Sequence, residues 1–272
     1  MTETEFKRAL TAIKETGFAP GAHTPPDCAD YIPYMLKYIG DIDPAFRDGV
    51  NYEVFVAWIN DGRLTHAQLA SCLEICLDEN HLFYGLGEDG TDSVFTRSFS
   101  ALFTAAILQE NTSAHFLDAA ALRHTLARLV QWYGGERDMR GFAAEKGWAH
   151  TAAHGADAFA ELALCAELGR DELMQILYAL SNKFAQGRYV YIDREPQRVC
   201  VAVCRAIARG LVSDAQIDEW LASIDEEHIW SDDTQAFHRW VNKQNFFTAL
   251  YFAAKRQDAG YKWLERVERA IK

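Results

Sequence analysis

The sequence lacks several features that would place a protein in a well-defined functional class. Its formal net charge is −12, which argues against nucleic acid as a partner because binding the phosphate backbone needs clustered Lys and Arg. No apolar stretch approaches the length of a membrane-spanning helix. The first ten residues, MTETEFKRAL, carry acidic side chains where a secretory signal peptide has a basic region and an apolar core. We therefore expect a cytoplasmic protein that binds neither nucleic acid nor a membrane.

The cysteines lack the spacing of a zinc or redox site. They occur singly or as C-x3-C pairs in apolar helical stretches, whereas zinc ribbons and redox motifs use C-x2-C. The six cysteines are Cys28, Cys72, Cys76, Cys165, Cys200 and Cys204. We interpret all of them as reduced thiols in the core.

Segments that alternate with period 2, which would predict strands, are also missing. Nearly every segment instead repeats its apolar residues with a period near 3.6, as amphipathic helices do. Glycines and N-terminal capping residues mark the helix ends, and Gly21–Pro26 predicts a turn. The sequence therefore predicts a single all-α domain over residues 1–272.

An internal repeat predicts how these helices are arranged. Residues 59–69 align with 207–217, and residues 99–106 align with 247–254 at the same offset. The matching positions are helix stops, N-caps and apolar residues. The duplication covers approximately residues 43–110 and 191–258. We predict a helical-hairpin repeat, HEAT-like, that forms a superhelix with two related halves.

Lys and Arg are missing from the inner part of the stretch on which the site prediction depends. Lys146–Gly169 reads KGWAHTAAHGADAFAELALCAELG and has no Lys or Arg between Trp148 and Ala166. A helix that is apolar nearly all round is typically buried. We predict a central motif helix over residues 146–168, near the junction of the two halves, where a groove or an enclosed pocket is expected.

Four polar side chains of this predicted helix share one face. At about 100° per residue, their side chains fall within an arc of roughly 60°. The four residues are His150, His154, Asp157 and Glu161. Buried imidazoles and carboxylates are costly unless they are paired, hydrogen-bonded or bound to a metal. We therefore expect this stripe to face a cavity and to form the candidate site.

The first interpretation of the stripe is a metal-free groove that binds a small polar or anionic ligand, or a peptide. The histidines would hold the ligand or transfer protons, and Arg97, a lone cation in an apolar helix, would hold a carboxylate or phosphate. The predicted ligand-binding residues are His150, His154, Asp157, Arg97 and Trp148.

Two other interpretations stay open beside the groove. In a metal-dependent hydrolase, His150, His154 and Asp157 would bind a divalent metal such as zinc. Further ligands would come from Glu161, Glu88, Asp89 and Asp92. In a protein–protein scaffold, the stripe would be a structural hydrogen-bond network in which Arg97 pairs with Asp157 or Glu161.

Several motifs resemble those of a bacterial family catalogued only as a domain of unknown function. They are GWAHTAAHGAD, GEDGTDSVFTRSFSALF, the RGF of Arg140–Phe142, and NFFTALYF near the C-terminus. The resemblance runs from about Tyr31 to Phe252, and its central pattern K-G-W-x-H-x-x-A-H-x-A-D is matched over Lys146–Asp157. It implies an all-helical, HEAT-like fold and no established activity. The chain departs from the family at residues 195–199, EPQRV, where the family shows an acidic pair and Arg-Leu.

Overall fold

A computed structural model of the protein describes residues 1–18, 28–224, 233–257 and 261–271. Helix accounts for 69% of the structure, which confirms the predicted all-α class. The predicted turn at Gly21–Pro26, and residues 225–232 and 258 of the predicted second repeat, lie outside the described residues. None of the described helices is long and apolar enough to cross a membrane.

The N-terminal helices follow the capping signals of the sequence. The helices are α1 (Glu3–Glu15), α2 (Ile32–Lys37), α3 (Pro44–Phe46), α4 (Glu53–Asn60) and α5 (His66–Cys76). At the start of α1, the Thr2 hydroxyl accepts from the Glu5 amide and the Glu5 carboxylate accepts from the Thr2 amide. α3 continues into α4 through the π-helical segment Arg47–Tyr52, so the chain from Pro44 to Asn60 is one continuous helical stretch.

The remaining helices pack in two rows. The elements are α6 (Ser93–Ala114), α7 (Ala119–Gly135), β1 (Phe142–Ala143), β2 (Gly147–Trp148), α8 (Thr151–Leu162), α9 (Arg170–Asn182), α10 (Glu195–Ala208), α11 (Asp214–Ile224), α12 (Thr234–Arg256) and α13 (Leu264–Ile271). In one row α6 packs on α8, α8 on α10, α10 on α12 and α12 on α13, and in the other α7 packs on α9 and α9 on α11. The alanines of α8 allow its close approach to α6 and α10, because small side chains let neighbouring helices come together.

The central helix is shorter than the predicted 146–168. α8 begins only at Thr151, and the residues before it form an antiparallel two-stranded hairpin in which Phe142 pairs with Trp148. Gly147 and His150 have φ values of +75° and +48°, which a helix does not allow. The prediction of one continuous helix was therefore wrong at its N-terminal end, where the glycine turn overrides the apolar pattern. It was also wrong at its C-terminal end, because α8 ends at Leu162, before the predicted residue 168.

Arg47 ties the N-terminal helices to this hairpin. Its side chain is fully buried, and its Nη1 and Nη2 atoms donate to the carbonyl oxygens of Asp41 and Lys146, each at 2.8 Å. The guanidinium also lies over the rings of Phe95 and Phe99, 4.3 Å and 4.6 Å from their centroids. One side chain thus joins three segments that are far apart in sequence.

Candidate functional site

Two cavities lie along α8 and have three residues in common in their walls, His154, Arg198 and Val201. The larger, of about 1260 Å³, is bounded by the hairpin, α8, α10, α12 and the loop before α10. The smaller, of about 420 Å³, lies among α6, α8 and α10. We call the two together the central groove. It borders α8 as the sequence predicted.

His154 lies at the junction of the two cavities and is only 6% exposed. Ser98 on α6 holds its ring through a hydrogen bond of 2.7 Å between Oγ and Nδ1, and Phe99 packs edge-on against it. Burial, and then the neighbouring His150, lowers the pKa of His154 well below its usual value, so the ring is neutral at neutral pH. Since Nδ1 is engaged, Nε2 is the nitrogen available to a ligand.

His150 precedes α8 instead of sharing its face with His154. Its Nε2 atom lies 3.2 Å from the carbonyl oxygen of Asp193, and its ring stacks on Trp148 with centroids 4.4 Å apart. The same Nε2 is 3.8 Å from Glu195 Oε1, a buried oxygen that has no hydrogen-bond partner among the described residues. Burial lowers the pKa of His150 and raises the pKa of Glu195, which favours the uncharged form of both groups.

The two carboxylates of the stripe are held by arginines of α10. Asp157 accepts from Arg198 through both of its oxygens, with Nε at 2.8 Å from Oδ1 and Nη2 closing the bidentate pair at Oδ2. Arg205 Nη1 lies 2.6 Å from Glu161 Oε1. Burial raises the pKa of Asp157, and its hydrogen bonds to Arg198 oppose that shift. These ion pairs dock α8 on α10.

Arg97 lies in a separate, fully buried ion pair. Its Nε and Nη2 atoms donate to the two carboxylate oxygens of Glu136 at 2.6 Å and 3.0 Å. Nη1 donates to the carbonyls of Tyr84 and Gly85 and to the Ser93 hydroxyl. Each guanidinium nitrogen therefore has at least one partner, and the side chain contributes to neither cavity wall.

The predicted pairing of Arg97 with Asp157 or Glu161 was wrong. α7 ends at Gly135, and the next residue, Glu136, enters the core beside Arg97. The acceptor therefore comes from the end of a neighbouring helix, 39 residues away along the chain, and not from α8.

The stripe does not form the predicted metal-donor set. Within the part of the chain that the structure describes, no three His, Cys, Asp or Glu side chains are placed so that they could hold one metal ion. Both oxygens of Asp157 are bound by Arg198, and the proposed further donor Asp92 is paired with Lys146. Glu88 accepts instead from the Thr91 hydroxyl.

A protein-family model described as "Protein of unknown function (DUF2785)" matches residues 82–252. The chain belongs to this family. The matched segment contains His150, His154, Asp157 and Arg198. It ends within α12, four residues before Arg256. No curated protein and no solved structure matches the chain.

Three arginines of the central groove in this DUF2785 protein were missed by the sequence reasoning. Arg194, Arg198 and Arg256 all line the larger cavity. For Arg198 the sequence does contain a signal. Asp157 and Glu161 need basic partners, and their own helix has no Lys or Arg. Arg198 and Arg205 repeat at the two-turn spacing that a facing helix would use.

Proposed function

We propose that the protein binds a small anionic ligand or an acidic peptide in the central groove. The observation that carries this proposal is the charge of the larger cavity. Arg194, Arg198 and Arg256 line it with a single carboxylate, Asp193, in a chain whose formal net charge is −12. Such a concentration of positive charge on an acidic protein attracts and orients anions.

The groove also supplies the other contacts that an anion needs. The exposed guanidinium groups of Arg194 and Arg256 have no ion-pair partner among the described residues, so both are free to bind a carboxylate or phosphate. His154 presents a neutral imidazole between them and the smaller cavity. The exposed side chains of Ile192 and Phe252 give an apolar part of the ligand a surface to cover.

The predicted site residues thus take different roles in this proposal. Trp148, His150 and His154 contact the ligand or border it, whereas Asp157 positions Arg198. Arg97 stabilises the fold. For a metal-dependent hydrolase, the described residues contain no set of three metal donors. The scaffold interpretation accounts for the ion pairs between α8 and α10, but it does not account for the unpaired Arg194 and Arg256.

We infer further that the fold is a HEAT-like superhelix with two related halves. In support, α5 and α11 begin with the same capping box, Thr65 with Gln68 and Ser213 with Gln216. The glycines Gly62 and Gly210, at aligned positions before them, have φ values of +65° and +68°. Shared start and stop signals are what a duplicated helical pair would retain.

We propose a cytoplasmic location, which is supported by the six cysteines being buried free thiols. Thiols persist in reducing compartments, whereas secreted proteins use them for disulfides.

The test is a titration with two probes, citrate and a short Asp- and Glu-rich peptide, followed by two-dimensional amide NMR. We expect saturable shifts around Trp148 and α10 with at least one probe. The double variant Arg194→Glu/Arg256→Glu should weaken binding at least about 10-fold, since it reverses two unpaired charges. The control Arg8→Glu makes the same kind of charge change on α1, outside the groove. Absence of binding by both probes, or equal affinity in all variants, contradicts the proposal.

A further inference from the structure

A second cleft lies between α7 and α9 and has no residue in common with the central groove. Its volume is about 590 Å³, within the range of small-molecule sites. Most of its wall is apolar and half-buried, including Val130, Met139, Met174 and Tyr178. One buried cation, Lys183, completes the wall with only 5% of its surface exposed. We call this the Lys183 cleft.

The ammonium group of Lys183 is held by backbone oxygens and not by a carboxylate. Its Nζ donates to the carbonyl oxygens of Tyr133 and Glu136 at the end of α7, and it lies 4.5 Å from the centroid of the Tyr133 ring. An ammonium has three N–H donors, and these bonds use two of them. A third donor therefore remains beyond these two carbonyl bonds.

Neither of the nearby acidic groups, Glu136 and Asp171, forms an ion pair with this ammonium. The Glu136 carboxylate is bound by Arg97 through both of its oxygens, so the ion pair is already complete. Asp171 at the edge of the cleft is exposed and pairs with Arg170. A buried ammonium without its own counterion is costly, and an anion beside it removes much of that cost.

We propose that the Lys183 cleft binds a monocarboxylate with an unbranched alkyl tail. The carboxylate accepts the third N–H of Lys183, and the tail lies against Met174 and Tyr178. Methionines suit such a tail because they are flexible and adapt to irregular apolar surfaces. Since the cleft has a single cation and an otherwise largely apolar wall, it favours one negative charge with an apolar body over a polyanion.

The titration of Lys183 gives the site a pH signature. Burial lowers the pKa of Lys183 to about 8, against the opposing charge of Glu136. The phenols that face it, Tyr133 and Tyr191, stay neutral in this range because burial raises their pKa far above it. The protonated fraction of Lys183 falls about 10-fold between about pH 7 and about pH 9, and the affinity for a carboxylate should fall with it.

The experiment compares octanoate, octanol and octylamine by isothermal titration calorimetry on the full chain. We expect octanoate to bind at least about 10-fold more tightly than octanol, octylamine not to bind, and the octanoate affinity to drop about 10-fold from pH 7 to pH 9. Equal binding of octanoate and octanol, or no pH dependence, overturns the proposal. Absence of octanoate binding at millimolar concentration also overturns it.

Two variants locate the site. Lys183→Met removes the cation and should abolish the preference for octanoate over octanol, whereas Lys262→Met removes an exposed lysine and should leave it unchanged. Lys183 also caps α7, so its variant could lose the fold. Met174→Glu keeps Lys183 and places a carboxylate in the cleft wall. It should abolish octanoate binding, and Ile75→Glu on the exposed side of α5 should not.

The two proposals fail independently of each other. Arg194→Glu/Arg256→Glu changes only the central groove, so octanoate affinity should stay within about twofold of the parent value. If this double variant abolishes octanoate binding, the octanoate lies in the central groove and the Lys183 cleft is not its site.

Discussion

Replacing Arg97 with Met tests the inference that this residue stabilises the fold and does not bind a ligand. The methionine keeps much of the apolar stem but removes every polar contact of the guanidinium. Glu136 is then left fully buried as an unpaired carboxylate, with the backbone amide of Asp138 as its remaining hydrogen-bond donor. Removing one partner of a buried pair costs about 3–5 kcal/mol, because the other charge stays buried. The carbonyls of Tyr84 and Gly85 also lose a donor.

This magnitude is a large share of the stability of an ordinary domain, about 5–15 kcal/mol. Urea unfolding followed by circular dichroism should therefore show a much lower midpoint for Arg97→Met with an unchanged slope. The double variant Arg97→Met/Glu136→Leu removes both charges and should recover more than half of the loss.

A partly exposed ion pair in the same protein is the control for this prediction. Arg205 and Glu161 keep 34% and 16% of their side chains exposed, so Arg205→Met should cost about 1 kcal/mol or less. The reasoning is refuted if Arg97→Met costs no more than Arg205→Met, or if the double variant is as unstable as Arg97→Met alone. Either result would mean that the buried pair contributes little to the fold.

Two further predictions concern α8. Below about pH 6.5, His154 is protonated in the unfolded chain but stays neutral in the folded chain. The free energy of unfolding should therefore fall as the pH is lowered, and this group contributes at most about 1.4 kcal/mol per pH unit. Urea unfolding from pH 7.5 to 5.5 should show this fall, and His154→Gln should reduce it; an equal fall in both proteins contradicts the assignment. Gly155→Ala would place a Cβ atom 2.5 Å from a Tyr133 ring carbon and should lower stability by about 1–3 kcal/mol. Gly134→Ala on α7, where a Cβ meets nothing within 4 Å, should not lower the melting temperature, and equal melting temperatures in the two variants would contradict the packing argument.

The sequence predicted helices well where the signal is local. Thr65 is the N-cap of α5, and its capping pattern with Gln68 needs only the next three residues. The hairpin before α8 was missed, because its strands have two residues each and show no alternation long enough to recognise. A turn at Gly147 was enough to move His150 out of the predicted helix.

The sequence alone could not identify which charged residues form ion pairs with each other. The stripe correctly indicated that Asp157 needs a partner, but the partner was selected by which helix packs against α8. That helix is α10, so Arg198 is the partner, and Arg97 faces the end of α7 and Glu136. Both pairs join residues about forty positions apart, which only the tertiary fold brings together.

The contacts of Arg47 bear on how short a fragment of this protein can be and still keep its fold. The family match begins at residue 82, so Arg47 lies outside it, yet the guanidinium contacts Lys146, Phe95 and Phe99 within it. A fragment cut to residues 82–252 would uncover these two rings and leave the Lys146 carbonyl without its donor. We therefore expect the folding unit to extend beyond the family match, and a truncation for biochemical work should keep at least the chain from α3 onward.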